Sequence, residues 1–354
     1  MIGILGGGQL GRMLSLAAAR LGMRTHIYCP DPNSPAFEVT PHKTVAPYED
    51  KAALFAFAGA VDVVTYEFEN VPAETARVLQ SRSRLYPGAD ALAVAQDRLL
   101  EKGFLVAAGI PVCAYRPIRS GKDLRSALGV LGVPAVLKTT RLGYDGKGQR
   151  IIHDVPDAKA AFDSLAPKPL VLEAFVPFEK EISVVVARNA TGEVKAFEAA
   201  ENVHRHHLLK TSTVPAAIPA SLAREAGRMA GAIAVALDYV GVLGVEFFAL
   251  RSGRRWSLLV NEIAPRVHNS GHWTEAVCVT DQFEQHIRAI CGWPLGDPTR
   301  FADVVMENLV GDEVTSVPAS LGRRDRLQLY GKTEVRAGRK MGHINHLRAK
   351  RPTK

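Results

Sequence analysis

Val240–Thr274 reads VGVLGVEFFALRSGRRWSLLVNEIAPRVHNSGHWT. Two apolar runs, Val240–Leu250 and Trp256–Glu262, flank the polar link Arg251–Arg255, the pattern of two hairpin-connected strands. Each carries a glutamate in apolar surroundings: Glu246 within GVEFF and Glu262 within LLVNEIA. A lone strand glutamate belongs on a solvated face. Two on adjacent strands can meet across the ladder, where like charges repel unless a cation intervenes. Magnesium held by Glu246 and Glu262 plus substrate phosphates is the economical explanation, with Asn261 as a neutral oxygen donor. Arg266, His268, Asn269 and His272 follow at once. Singly each has an ordinary structural use; together they describe a polar site beside the carboxylates.

Upstream, Met1–Leu5, Thr25–Tyr28 and Val61–Tyr66 read as strands, with helical Leu10–Leu21, Lys51–Ala58 and a helix from Pro72 between and after them. This rhythm implies a parallel sheet with helices on its faces. Pro87-Gly88 marks its end. Ala89–Ala108 reads as one helical stretch containing Asp97-Arg98. Strands are expected at Ala135–Lys138, Gln149–Ile152 and Leu170–Ala174, with a helix over Asp157–Ser164. Glu181–Arg188 and Val194–Glu201 form an expected antiparallel pair, and the amphipathic helix Ser221–Leu237 precedes the quoted hairpin. After helix Asp281–Ile290 the chain is strand-rich, at Ala302–Leu309, Arg326–Tyr330 and Met341–Ile344.

Two glycine-rich turns point to phosphate. Gly6, Gly8 and Gly11 satisfy G-x-G-x-x-G between a strand and a helix, where backbone amides can cradle an anion, and Asp31 lies where a dinucleotide fingerprint wants an acid. That fingerprint marks a phosphate-friendly turn, not a nicotinamide, and nothing downstream supplies hydride chemistry. The second turn, Gly143-Tyr144-Asp145-Gly146-Lys147-Gly148, lacks P-loop spacing but has the backbone freedom of a closing phosphate lid. Lys138 ends the apolar strand before it, and a lysine buried there needs an anionic partner. Lys332, Arg336 and Arg339 make a second anion-clamp candidate, with a basic surface as the competing reading.

The whole chain bounds these readings. Its 354 residues exceed one compact core, so two or three domains are expected. A formal charge of +8 suits phosphate-bearing small molecules as well as nucleic acid, but Lys and Arg lack the aromatic interleaving of a nucleic-acid surface. Part of the surplus lies in Arg339–Lys354, read as a solvated terminus. No apolar run suits a membrane span, and MIGILGGGQLG does not read as a signal peptide. Cys29, Cys113, Cys278 and Cys291 are scattered without a CxxC pair, which fits a reducing, cytoplasmic setting.

The order Asp97-Arg98, Lys138, GYDGKGQ, EAFV, Glu181, Glu246, NE–PRVHNSGHWT and EVRAGRKMGHIN resembles the 5-(carboxyamino)imidazole ribonucleotide synthases, ATP-grasp enzymes of purine synthesis. GGGQLGRML and TYEFENV are similar to that family too, so the resemblance runs from residue 1 to about 346. It implies an α/β and α+β architecture. A Rossmann-like preATP-grasp domain would span 1–88, an ATP-grasp domain 89–290 with its lid at about 112–176, and a small β-rich C-terminal domain 291–354. It implies a cytoplasmic homodimer using ATP, Mg²⁺ (or Mn²⁺), bicarbonate and 5-aminoimidazole ribonucleotide, with no nucleic-acid or membrane partner.

By the same resemblance, Arg98 and Lys138 would hold ATP phosphates under the 143–148 loop. Glu173, Ala174, Phe175 and Val176 would line the adenine site, Glu181 would bind the ribose, and His204 would approach the nucleotide. Glu246 and Glu262 would hold the metal beside Asn261. Tyr144, Asp145, Arg266, His268 and Asn269 would surround bicarbonate and the amine, with Asp145 and His268 as candidates for managing its proton. Gly8, Gln9, Leu10, Lys332 and Arg339 would meet the ribose phosphate. The implied chemistry is attack of bicarbonate on the γ-phosphate, giving carboxyphosphate, then capture of CO₂ by the amine in a closed site. Three rivals stand beside it: a formate-using purine transformylase of the same fold, an NAD-dependent oxidoreductase, and a non-enzymatic nucleotide or RNA binder.

Overall fold

The computed structural model describes residues 1–143 and 146–350. Its first sheet is parallel, in the order β3-β2-β1-β4, from β1 (Ile2–Leu5), β2 (Thr25–Tyr28), β3 (His42–Thr44) and β4 (Val63–Tyr66). Helices α1 (Gln9–Arg20), α2 (Lys51–Gly59) and α3 (Ala73–Gln80) accompany it. Every residue of β1 and β4 is buried, which is why both read as near-continuous apolar runs without alternation.

The stretch expected as one helix from Ala89 to Ala108 is two, α4 (Ala89–Gln96) and α5 (Arg98–Ala107). Asp97 is extended, and its carboxylate accepts the Leu99 amide at 2.9 Å. Aspartate caps a new helix there because its oxygen satisfies an amide that has no partner in the first turn. The break starts α5 at Arg98.

The second sheet, β5-β8-β6-β7, is antiparallel: β5 (Tyr115–Ile118), β6 (Ala135–Thr139), β7 (Gln149–Ile152) and β8 (Leu170–Ala174). Helices α6 (Gly121–Leu131) and α7 (Ala158–Leu165) cover it through Leu124, Leu128, Ala161 and Leu165. Neither β5 nor α6 was expected; β5 contains Pro117, which obscures a strand pattern.

The third sheet holds β9 (Lys180–Arg188), β10 (Val194–Ala196), β11 (Ala200–Arg205), β12 (Leu208–Val214), β13 (Gly241–Ser252), β14 (Arg255–Ala264), β15 (Asp303–Val310), β16 (Asp325–Leu329) and β17 (Lys340–Arg348). Its main order is β14-β13-β9-β11-β12-β15-β17-β16, with β10 on β9. The run expected as one strand from Val194 to Glu201 is split between β10 and β11, each pairing a different part of β9. The three C-terminal strands continue this sheet through the β12–β15 ladder. Helix α8 (Ala220–Ala236) packs on it through Leu222, Ala226 and Ile233. Two helices follow β14: α9 (Thr274–Val277) and α10 (Gln282–Ile290). No helix among the described residues is long and apolar enough to cross a membrane.

Candidate active site

Glu246 and Glu262 are direct partners in the β13–β14 ladder. Phe247 then pairs with Val260, so Asn261 is the extra residue of a bulge and stands with Glu262 opposite Glu246. A bulge re-aims side chains, and here it sets Asn261 next to Glu262 on the strand opposite Glu246. Burial, and then repulsion from Glu262, push the Glu246 carboxyl up to about 7. Glu262 accepts from Arg98 at 3.2 Å, placing the first residue of α5 against the ladder. No group of three or more His, Cys, Asp or Glu among the described residues is arranged to hold a metal. Two carboxylates and a carboxamide suit a hard cation that draws its remaining oxygens from substrate and water.

Beyond β14 the chain turns through Arg266 and His268. Arg266 grips Glu69 through Nε, and through Nη2 at 3.1 Å. Burial opposes ionisation of Glu69, but Arg266 holds its carboxyl down at about 2. His268 Nδ1 lies 2.8 Å from Ser270 Oγ, and Ser183 donates to that same oxygen at 2.7 Å. The Ser270 proton is therefore directed at Nδ1, which leaves the ring N–H on Nε2, 3.4 Å from Glu246 Oε1. Burial, and then Arg266, lower the His268 pKa to about 3. This is a neutral imidazole whose lone pair is engaged, an arrangement suited to donating a hydrogen bond from Nε2 and not to accepting a proton.

Asn269 exchanges amide hydrogen bonds with Asn308 at 3.1 and 2.6 Å, tying the turn to β15. His272 is fully buried, bonded through Nδ1 to Gln282 at 3.0 Å and stacked on His343. It lies inside the packing.

On the lid side, Lys138 donates to Glu173 Oε2 at 2.7 Å, and Lys102 lies 3.1 Å from Oε1. The anionic partner that a buried lysine requires is thus Glu173. Ala174 and Val176 are half-buried and Phe175 is exposed. Glu181 and His204 pair across β9 and β11, and together with Phe178 and Lys180 line an open cavity. Gly146 and Gly148 both adopt left-handed φ, at 75° and 73°. A Cβ on Gly146 would lie 2.4 Å from the His207 ring, so this turn sits close against the β11–β12 hairpin. Gly143 is half-buried and Lys147 exposed. Tyr144 and Asp145, the expected catalytic members of this loop, lie outside the described residues.

The N-terminal turn differs from its expectation. Glu67 accepts the amides of Gly8 and Gly11, the latter at 2.6 Å. A Cβ on Gly6 or Gly8 would fall within 3.0 Å of that carboxylate. An internal carboxylate therefore occupies the anion position at the start of α1. The turn needs glycine because Glu67 approaches so closely, and two of the donors a dinucleotide pyrophosphate would use are taken. Asp31 is exposed and closes a local turn on Asn33. Gln9 is half-buried and Leu10 buried. Lys332 bonds the Lys340 carbonyl at 2.7 Å; burial, and then the nearby Arg339 charge, lower its pKa to about 8. Arg339 donates to the Glu334 carbonyl at 3.0 Å, and Arg336 pairs with the exposed Glu334 carboxylate.

Glu67, Glu69, Glu101, Lys102 and Asn308 were missed as individual residues. Arg98, Glu101 and Lys102 share one helix face by their i, i+3, i+4 spacing, a signal present in the sequence. The TYEFENV stretch contains both Glu67 and Glu69 but no periodicity that gives either a task.

An antiparallel lid over a large sheet, with basic side chains facing paired carboxylates, is the arrangement of an ATP-grasp ligase. A family model for the ATP-grasp domain matches residues 103–283, flanked by a ribonucleotide synthetase preATP-grasp domain at 1–96 and a phosphoribosylaminoimidazole carboxylase C-terminal domain at 304–353. N5-carboxyaminoimidazole ribonucleotide synthase of Brucella melitensis is 51% identical, covering 98% of this chain and 96% of its own. The Bacillus subtilis enzyme of the same name is 41% identical, covering 98% and 91%. Among solved structures, N5-carboxyaminoimidazole ribonucleotide synthetase from Thermus thermophilus superposes with a TM-score of 0.90 at 44% identity over 98% and 94% of the two chains. The Aspergillus clavatus synthase in complex with ADP and 5-aminoimidazole ribonucleotide gives 0.92 at 30% over 99% and 94%. The chain belongs to the N5-carboxyaminoimidazole ribonucleotide synthase family.

Proposed function

We propose that this chain carboxylates the exocyclic amine of 5-aminoimidazole ribonucleotide, using ATP and bicarbonate and releasing ADP and phosphate. The observation that carries the residue assignment is the Glu246–Glu262 pair, with Arg98 on one carboxylate and the His268 N–H facing the other. Magnesium bound there by Glu246, Glu262 and Asn261 would neutralise charge on the ATP phosphates.

Arg98 and Lys138 hold the phosphates, and the 143–148 loop covers them. Glu173 to Val176 border the adenine, and Glu181 takes the ribose hydroxyls beside His204. Arg266, fixed by Glu69, presents its guanidinium to bicarbonate, whose oxygen attacks the γ-phosphorus as the bond to ADP breaks. The carboxyphosphate formed releases CO₂ and phosphate within the closed site, and the amine nitrogen captures the CO₂. His268 donates from Nε2 and stays neutral; Asp145 takes the amine proton. Lys332 and Arg339 meet the ribose phosphate beside Gln9 and Leu10, since Glu67 already holds the Gly8 amide. A cytoplasmic homodimer completes the reading, on family resemblance, and sedimentation equilibrium tests its dimeric part.

The deciding assay is ADP release with bicarbonate and each acceptor in turn. Turnover that requires 5-aminoimidazole ribonucleotide is expected. Turnover that requires formate and glycinamide ribonucleotide would overturn the assignment.

A further inference from the structure

Helix α5 presents three residues in sequence to three parts of the site. Arg98 reaches Glu262, Glu101 accepts the Ile263 amide at 2.7 Å, and Lys102 reaches Glu173. The last contact is unusual in its stoichiometry. The Glu173 side chain is 4% exposed, and it sits between Lys102, 1% exposed, and Lys138, 12% exposed. One carboxylate can neutralise only one of two ammonium groups. Lys102 is enclosed, with Cys113 Sγ at 3.6 Å as its other neighbour, whereas Lys138, near the end of β6, is partly exposed. Burial disfavours the Lys102 charge, but Glu173 outweighs it and keeps the ammonium form.

We propose that Lys102 is a positioning residue that acts as the resident counter-ion of Glu173, leaving Lys138 free to move onto the nucleotide phosphates. A buried carboxylate cannot be left without a counter-charge. If Lys138 were its sole partner, each phosphate contact by Lys138 would strand Glu173 in the lid core. With Lys102 held in place, the transfer exposes no unpaired charge. This rests on the nucleotide reading given above.

The test uses the full-length enzyme with Lys102→Met, Lys102→Arg, Glu173→Gln and the double variant Lys102→Met/Glu173→Gln. Wild-type ADP release that requires ATP, bicarbonate and the aminoimidazole nucleotide is established first; its failure would sink the functional reading and not this one. Lys102→Met should raise the KM for ATP about tenfold or more, with kcat within about threefold, because Lys138 is then pinned to Glu173. Lys102→Arg, which keeps the charge, should stay within about threefold of wild type in KM. In the double variant no carboxylate needs a counter-ion, so its KM for ATP should return to within about threefold of Glu173→Gln alone. If Lys102→Met does not fold, this double variant carries the test, since it buries no unpaired carboxylate. An unchanged KM in Lys102→Met, or a double variant still about tenfold worse than Glu173→Gln, overturns the proposal.

Discussion

Arg266 and Glu69 hold each other through two contacts, joining the loop after β4 to the end of β14. The pair crosses from the N-terminal parallel sheet to the large sheet, so the guanidinium assigned to bicarbonate is oriented by a different part of the fold. Glu69→Gln should therefore lower kcat/KM for the aminoimidazole nucleotide about tenfold or more while KM for ATP moves less than about twofold. Steady-state kinetics with each substrate varied checks this. Equal losses for both substrates would mean that Glu69 supports the fold generally.

Glu246 and Glu262 repel across their ladder when no cation is bound. Glu246→Gln removes one charge, and opposed like charges on a sheet cost roughly 0.2–1 kcal/mol. With chelator present, the variant should melt up to about 1.5 °C above wild type. Its turnover with magnesium should fall by about 100-fold or more, as a shared charge clamp is lost. A variant that is both less stable and fully active would contradict the assignment.

Gly146 combines a left-handed φ of 75° with a Cβ position 2.4 Å from His207. Gly146→Ala should raise KM for ATP several-fold, roughly the effect of 1–2 kcal/mol of backbone strain in the closing loop. Adding His207→Gly should recover part of the loss, since it removes both the ring and the Cβ that lies 2.5 Å from the new methyl, and leaves the φ penalty at position 146. Full recovery would show that backbone conformation plays no part.

His286 links three elements: Val242 donates its amide to Nδ1 at 3.1 Å, and Nε2 lies 2.8 Å from Thr65 Oγ1. Burial lowers its pKa to about 3 from 6.5. Between those two values the unfolded chain binds a proton that the folded chain refuses. Stability is therefore full above pH 6.5 and falls as pH drops below it, by at most about 1.4 kcal/mol per pH unit for this group. His286→Gln should flatten the pH dependence of urea unfolding between about pH 5 and 7 by up to one proton. An unaltered slope would place the proton uptake on other histidines.

The sequence by itself carried the βαβ opening, the Glu-bearing hairpin, the glycine-rich lid loop and the family's motif order. These depend on local periodicity and on residue types whose chemistry narrows their use, so they survive without coordinates. It did not show that Asp97 ends one helix and caps α5, which begins at Arg98, because a capping aspartate inside a helical run looks like an ordinary polar residue until its carboxylate is seen on the Leu99 amide. Nor did it show that Glu67 fills the N-terminal turn, that Lys138 shares Glu173 with Lys102, or that the lone pair of His268 is engaged by Ser270. Glu67 and Gly8 are 59 residues apart, and Lys102 and Glu173 are 71. Contacts over such separations leave no period to detect: Glu67 meets Gly8 because β4 and β1 are neighbours in one sheet, and Lys102 meets Glu173 because tertiary packing brings α5 to β8, where burial makes each charge find a partner.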